Sequence, residues 1–376
     1  MKILFISQRV NDITSGARVV SETNLQIVQE VFGSDNVSLF SIQKIRNNKL
    51  GSLFQKLSGY LDGLSSAYER EILTCLSLDV FDYVYIDSSY FGKIASLIRK
   101  SFPDVRIITF YHDVLVHWWK ETHERSFIPY VMNLFFYWNS ERKCAKISDI
   151  NIVMTDRDRK LLISTYRVPE DSIRIIPLSI PQPSFCAEKN SVASLCDEKS
   201  IHLLFVGVDY KPNVDGLRWF IARIIPKLRD LQSGKQNEQS SPILHIVGKG
   251  MDRYRDEMSA KDIQVHGLVD SLADWYQTCD AVVVPVFSGS GMKVKTAEAL
   301  SWGKPLFATS EGLTGYMTDG VDGIFRCDDE DSFIDSLQQW FLQEKKQKYI
   351  EAIHRLFLKY YSREATVKLF KKAVET

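Results

Sequence analysis

Short apolar runs alternate with stretches of helical period along the whole chain, and they fall into two series. In the first, Lys2–Ile6 leads through a loop to Gly16 and a helical pattern carrying Val20, Ile27, Val28 and Val31; Val37–Phe40, Val84–Ile86, Arg106–Phe110 and Ile150–Met154 follow. In the second, Leu203–Gly207 leads through Asp209–Asn213 to a helical pattern carrying Leu217, Phe220, Ile224 and Leu228. The runs Ile243–Val247, Ile263–Val265, Ala281–Pro285 and Pro305–Ala308 come after it. Runs that are apolar at successive positions suit strands covered on both faces. Strands alternating with helices predict parallel sheets flanked by helices, so the fold expected is α/β with two doubly wound domains.

The domains are expected at residues 1–185 and 200–360, with a terminal helix at 361–376 open to packing back on the first. Pro181–Ser200, polar and rich in small residues with two prolines, marks the linker. Leu231–Pro242 reads as a polar surface loop. Ligands of doubly wound sheets bind beyond the carboxyl ends of the strands, and two such domains are expected to face each other across a cleft. The loops so placed are Gln8–Arg18, His112–His117, Gly207–Asn213, His266–Asp270, Ser288–Lys295 and Ser310–Tyr316.

Of these, the run from Ser288 to Pro305 carries the most chemistry. Glycines 289 and 291 break the chain after a buried strand, and a helical pattern then runs to Gly303, a C-terminal cap with Pro305 beyond it. Gly291, Lys295 and Glu298 share one stripe of that helix. Free N–H groups at the helix start, a lysine and a carboxylate suit a nucleoside diphosphate. The amides and Lys295 hold phosphate, and Glu298 accepts from ribose hydroxyls. The plainer alternative is a strand–loop–helix crossover whose glycines only make the turn.

Bulk properties narrow the classes. A chain of 376 residues exceeds what one core usually holds, and 45% hydrophobic with 25% charged residues is the composition of a globular protein. A formal net charge of zero weighs against nucleic acid as a partner. The six cysteines show no C-x-x-C pair and the seven histidines no H-E-x-x-H, so no zinc site and no other metal is expected. The apolar part of the N-terminus is too short for a signal peptide, and no run of about 18 apolar residues exists. A cytoplasmic protein is expected, free or peripheral on the inner face of the membrane.

The second series resembles the donor-binding domain of GT-B fold glycosyltransferases, in particular glycosyltransferase family 4 (glycosyl transferases group 1). The matching stretches are Phe205–Asn213, Ile246–Gly250, Val265–Val269, Gly289–Leu300, Pro305–Gly315 and Asp322-Gly323. In the first series, Thr109–Asp113 is similar to the family's histidine-bearing strand end, and Ser148–Thr155 and Ser172–Pro177 are similar to the segments ahead of its linker. The resemblance implies two Rossmann-like domains, acceptor-side and donor-binding. It implies retaining transfer of a sugar from a nucleotide-diphosphate sugar to a hydroxyl of a glycan or lipid-linked glycan, in surface polysaccharide or lipopolysaccharide synthesis. No cofactor or metal is implied.

Residue by residue, Glu298 matches the second glutamate of the family's E-x7-E motif, which holds the donor ribose, while Ser290 stands where the first would be. Gly16, Lys211, Gly289, Ser290, Gly291, Lys293 and Lys295 form the expected diphosphate group; Lys211 is the one cation in Gly207–Gly216. His266, Gly267 and Val269 lie where the family's backbone reads the nucleobase. His112 matches the histidine near the transferred sugar, and His112, Asp113 and Lys293 are the catalytic candidates. The rival readings are a nucleotide-sugar epimerase of the same fold and a catalytically silent nucleotide-sugar-binding subunit.

Three further features have two readings each. Asp156-Arg-Asp158 matches a metal-binding D-x-D but also opens a helix, where acids suit the dipole; Asp328–Asp331 reads as such a start. Leu50, Leu53, Phe54, Leu57, Leu61 and Leu64 form a helical stripe among Lys44, Arg46, Lys49 and Lys56, fitting a membrane surface or the domain's own sheet. Trp118 and Trp119 are adjacent, so one helix face cannot bury both, and one is open to a sugar or lipid.

Overall fold

The structure, a computed structural model, describes residues 1–10, 16–43, 49–122, 127–183, 192, 196, 200–233, 242–343, 347 and 349–375. The chain divides into two compact units, Met1–Ser179 with Arg363–Thr376, and Ile180–Ser362. Each is built on a parallel six-stranded sheet.

The first sheet contains β1 (Ile3–Ser7), β2 (Val37–Ser41), β3 (Tyr83–Ile86), β4 (Arg106–Tyr111), β5 (Ile150–Val153) and β6 (Ile173–Ile175), in the order β2-β1-β3-β4-β5-β6. The second contains β7 (His202–Val206), β8 (Ile243–Val247), β9 (Ile263–Gly267), β10 (Ala281–Val284), β11 (Leu306–Ala308) and β12 (Ile324–Arg326), in the order β12-β11-β10-β7-β8-β9. In both, the chain order reverses beside the first strand, between β1 and β3 and between β7 and β10. Such switch points leave a crevice at the strands' carboxyl ends. Central strands such as Ala281–Val284 are wholly buried, because helices cover both faces. β6 and β12 were not expected: both are short edge strands with partly exposed, mixed residues, which carry no apolar run to read.

The helix Arg363–Glu375 belongs to the first unit. Its buried residues Thr366, Phe370, Ala373 and Val374 fall at helical spacing. Phe370 meets the rings of Phe32 and Tyr85 at 6.4 and 6.1 Å, and the Tyr83 hydroxyl donates to the Val374 carbonyl at 3.2 Å.

Several expectations need correcting. Leu231–Ser233 end the helix Ile225–Ser233 rather than opening a loop; most of the expected linker and the rest of that loop lie outside the described residues. The apolar stripe splits. Leu61 and Leu64 are in the core, whereas Leu53, Phe54 and Leu57 on the helix Lys49–Leu57 are exposed, Phe54 by 69%. Lys56 turns to Asn133, donating to its side-chain oxygen at 2.8 Å, and burial lowers its pKa. Lys44 and Arg46 lie outside the described residues. Trp118 and Trp119 pack on each other and on Tyr137, with the Trp119 indole N–H donating to the Tyr130 carbonyl at 3.2 Å, so neither indole stands alone on the surface. Asp156 pairs with Arg159 and Lys160, and Asp158 is buried against the N-cap Thr155. These acids organise a helix start. Asp329 does the same for Glu330–Phe341 through a capping box.

Candidate functional site

In the second unit the site builds up from the loop after β10. Gly289 and Gly291 adopt φ of 123° and 65°, which side-chain-bearing residues rarely hold. The helix that follows is Val294–Ser301 with Lys293 as N-cap, so Gly291 lies ahead of the helix and not on its stripe, as the sequence reading had it. The positive-φ glycines carry the loop further than a helical pattern reveals. Thr296 and Ala297 N–H groups turn back to the Lys293 carbonyl, at 3.0 and 3.3 Å. The N–H groups of Val294 and Lys295 open the helix without an acceptor inside it. At the other end, Gly303 (φ 60°) donates to Leu300 and Lys304 to Ala299, a Schellman cap.

Lys295 is 9% exposed, and its ammonium donates to the Asn213 side-chain oxygen at 2.6 Å and stands 4.2 Å from the centre of the Phe205 ring. It therefore lies at the carboxyl end of β7. A Cβ on Gly207 would come within 2.8 Å of it, so glycine there makes room for the charge. Burial, then the charge of Lys293, brings the Lys295 pKa down to about 7, against the attraction of Glu298. Glu298, one turn on, accepts from the Tyr276 hydroxyl at 2.8 Å; burial raises its carboxyl to about 7 despite that bond and Lys295. Such opposed shifts in one crevice mark functional sites more often than structural ones.

Lys293 curls over the glycine loop, donating to the carbonyls of Ser290 and Gly291 at 3.2 and 2.9 Å and pairing with Glu311 at 2.7 Å. Lys211 is mostly exposed and pairs with Asp215, whose residue borders a hollow with Phe287 and Ser288. The structure thus brings Lys293, Lys295 and Glu298 into one neighbourhood and leaves Lys211 on its solvent side. The His266 ring is held by Trp275 and His245, at 4.2 and 5.3 Å between ring centres, and the residue is partly exposed. Gly267 (φ 74°) accepts from Gly248 N–H at 2.7 Å, and Val269 is partly exposed in the loop beyond.

In the first unit, His112 follows β4 and is 7% exposed. Its Nε2 lies 3.1 Å from the Asp87 carbonyl, 3.6 Å from the Asp87 carboxylate and 3.4 Å from the Ser21 hydroxyl. Asp87 follows β3 and accepts from the Ser7 hydroxyl, at the end of β1, at 2.8 Å. Burial works to raise its carboxyl, but His112, Ser21 and Ser7 outweigh it and hold it below the usual range. These groups occupy this sheet's switch point. Asp113 is partly buried beside them. Gly16 opens the helix Gly16–Phe32, and residues 11–15 of the preceding loop lie outside the described residues.

Asn213, Glu311, Tyr276 and Asp87 were not singled out from sequence. Asp87 was within reach, being an acid immediately after a strand run; the others contact the site from distant loops and helices. Nor does spacing along the chain show that Cys196, His245 and Cys279 come together, contrary to the expectation that no metal-ligand grouping exists; their donors come from three separate elements.

Residues 200–342 match the family model described as glycosyl transferases group 1. Over these residues the second unit is similar to the group 1 glycosyltransferases. The chain's fold is the two-domain GT-B type. Sucrose-phosphate synthase from Thermosynechococcus elongatus is similar at a TM-score of 0.74 and 14% identity, over 100% of this chain and 98% of that one. HepE from Anabaena, in complex with UDP and glucose, is similar at 0.70 and 11% identity, over 100% and 99%. The E. coli trehalose-6-phosphate protein bound with UDP-2-fluoro glucose is similar at 0.67 and 10%, over 100% and 99%. At these identities the likeness establishes the fold. No curated protein sequence matches the chain. Among the described residues, no helix is long and apolar enough to cross a membrane.

Proposed function

We propose that this glycosyltransferase moves a sugar from a nucleotide-diphosphate sugar to a hydroxyl of a glycan or lipid-linked glycan, with retention, in the assembly of a surface polysaccharide or lipopolysaccharide. The observation that carries the donor assignment is the buried Lys295 ammonium, held at the carboxyl end of β7 beside an open helix start, with Glu298 one turn further. Three solved structures of this fold, from two proteins, support it: HepE in complex with UDP and glucose or with UDP-glucose, and the E. coli trehalose-6-phosphate protein with UDP-2-fluoro glucose.

In this reading the Val294 and Lys295 amides and the Lys295 ammonium receive the diphosphate, and Glu298 accepts from the ribose. The leaving group gains negative charge in the transition state, so cations placed there lower the barrier. Lys293 joins when the incoming phosphate competes with Glu311 for its ammonium. With retention, the departing phosphate oxygen takes the acceptor proton on the face it leaves. His112, fixed by Asp87 and Ser21, and the neighbouring Asp113 are the first unit's catalytic candidates. The backbone of His266, Gly267 and Val269 reads the base. No divalent cation is needed, since lysines and helix amides supply the charge.

In this reading the protein works at the cytoplasmic face of a membrane, where lipid-linked acceptors are found, and the exposed Leu53, Phe54 and Leu57 support such contact. The test is incubation with a panel of nucleotide sugars. A transferase releases nucleoside diphosphate only with acceptor (or slowly with water), and at an unchanged rate when Mg2+ or Mn2+ is withdrawn. An epimerised sugar without acceptor, or binding without turnover, contradicts transfer. Binding without turnover is the outcome favoured if the Lys293–Glu311 pair does not open.

A further inference from the structure

At the opposite end of the second sheet lies a cluster that the transfer reaction does not use. His202 opens β7, His245 lies within β8, and Cys279 follows the helix Leu272–Thr278 just ahead of β10. Cys196 joins them from the segment before β7. One ligand atom from each of Cys196, His245 and Cys279 falls within 4.8 Å of the other two. The Cys196 sulfur is 3.8 Å from His245 Nε2, and His202 Nδ1 is 2.9 Å from that same nitrogen. His202, His245 and Cys279 are each at most 1% exposed. The remaining His245 nitrogen, Nδ1, stands 3.1 Å from His266 Nε2, and Trp275 packs 5.2 Å from the His245 ring centre.

We propose that Cys196, Cys279 and His245, completed by His202, form a structural Zn2+ site that fastens the segment ahead of β7 to the sheet. Zn–S bonds of about 2.3 Å and Zn–N bonds of about 2.0–2.1 Å put sulfur and nitrogen roughly 3.5 Å apart in a tetrahedron. The observed Cys196–His245 separation needs only a few tenths of an ångström of adjustment. Two thiolates and two imidazoles are the donor set that selects zinc over magnesium or calcium. His245 would ligate through Nε2 and donate Nδ1–H to His266, the arrangement that fixes ring and tautomer in zinc–histidine sites. Without an ion, His245 Nε2 has to serve both His202 and Cys196. His202 opens β7, Cys279 precedes β10 and His245 sits mid-strand in β8, so the ion takes a structural and not a catalytic role. Three separated elements contribute, so the ion would tie the start of β7 to β8 and β10.

The test uses untagged full-length protein purified without chelator, with metal measured by plasma mass spectrometry. About one zinc per chain is expected, lost in Cys196→Ser while circular dichroism and nucleotide binding persist. Replacement by Co2+ should give thiolate-to-cobalt charge-transfer absorption and tetrahedral d–d bands. His266→Ala should weaken zinc binding about 10–100-fold, as loss of an orienting partner does. Substoichiometric zinc with both thiols freely titratable would overturn the proposal in favour of a hydrogen-bonded cluster. A Cys196–Cys279 disulfide in the mass spectrum would overturn it in favour of a covalent fastening, and zinc retained in full by Cys196→Ser would overturn the ligand assignment.

Discussion

Replacing Lys295 by methionine removes one buried ammonium while keeping most of the side-chain volume, and the structure assigns that change two opposite consequences. The pKa of this lysine falls from 10.5 to about 7, chiefly through burial. Below pH 7 the group is charged whether folded or not, and the folded protein bears the full cost of burying the charge, roughly 4–5 kcal/mol. Between pH 7 and 10.5 the folded form sheds the proton and the cost declines, to roughly 2 kcal/mol at pH 9. Lys295→Met should therefore stabilise the free second unit most at pH 6 and progressively less toward pH 10. Glu298, raised to about 7, is largely protonated at pH 6 in both proteins and drops out of that comparison. Allowing roughly 1.5–3 kcal/mol for the lost charge-assisted bond to Asn213, a net gain of about 2 kcal/mol corresponds to a melting point roughly 4–8 °C higher. Nucleoside diphosphate affinity should move the other way, weakening about 10–100-fold with the loss of one charge-assisted contact. Scanning fluorimetry at pH 6 and 9, with and without a nucleoside diphosphate, reads both effects. A variant that melts lower at pH 6 and binds nucleotide like the parent would refute the reasoning on both counts.

Glu298→Gln keeps a side-chain oxygen toward Tyr276 and the ribose but loses its charge, so donor KM should rise roughly tenfold with little change in kcat; intact binding with no turnover would give Glu298 a chemical role. His112→Ala should lower kcat by roughly tenfold or more while free nucleoside diphosphate binds as before, and loss of nucleotide binding in steady-state and titration assays would contradict its placement by the sugar. In vesicle co-sedimentation, the parent should bind bilayers through Leu53, Phe54 and Leu57, and Phe54→Ser with Leu57→Ser should abolish it; equal sedimentation of both proteins on anionic and neutral vesicles at two salt concentrations rules the surface out.

Buried parallel strands were the most legible elements, because a strand covered on both faces must be apolar at successive positions. Ile243–Val247 was placed to the residue, and Ala281–Val284 to within one. The edge strands Ile173–Ile175 and Ile324–Arg326 have one face open to solvent and gave no such run. Lys295 and Glu298 were found because residues three apart on one helix share a face, which spacing reveals. The partners that set their ionisation were not. Asn213 meets Lys295 from 82 residues away, and Glu311 reaches Lys293 from the loop after β11. A loop of positive-φ glycines hid the true helix start at Val294. The apolar stripe mixed two destinations: Leu61 and Leu64 sit in the core, and Phe54 and Leu57 outside it. Helical period alone does not separate core from surface when a turn divides the stripe.

The most direct measurement on the donor site is saturation-transfer NMR of the full-length enzyme against a panel of nucleotide-diphosphate sugars, run in parallel on the parent and Lys295→Met. At least one donor should receive strong saturation at its ribose and base protons from the parent, and the same donor should lose it with Lys295→Met. Undiminished saturation in the variant, or none from any nucleotide sugar in the parent, would contradict the assignment of Lys295 and its helix as the donor site.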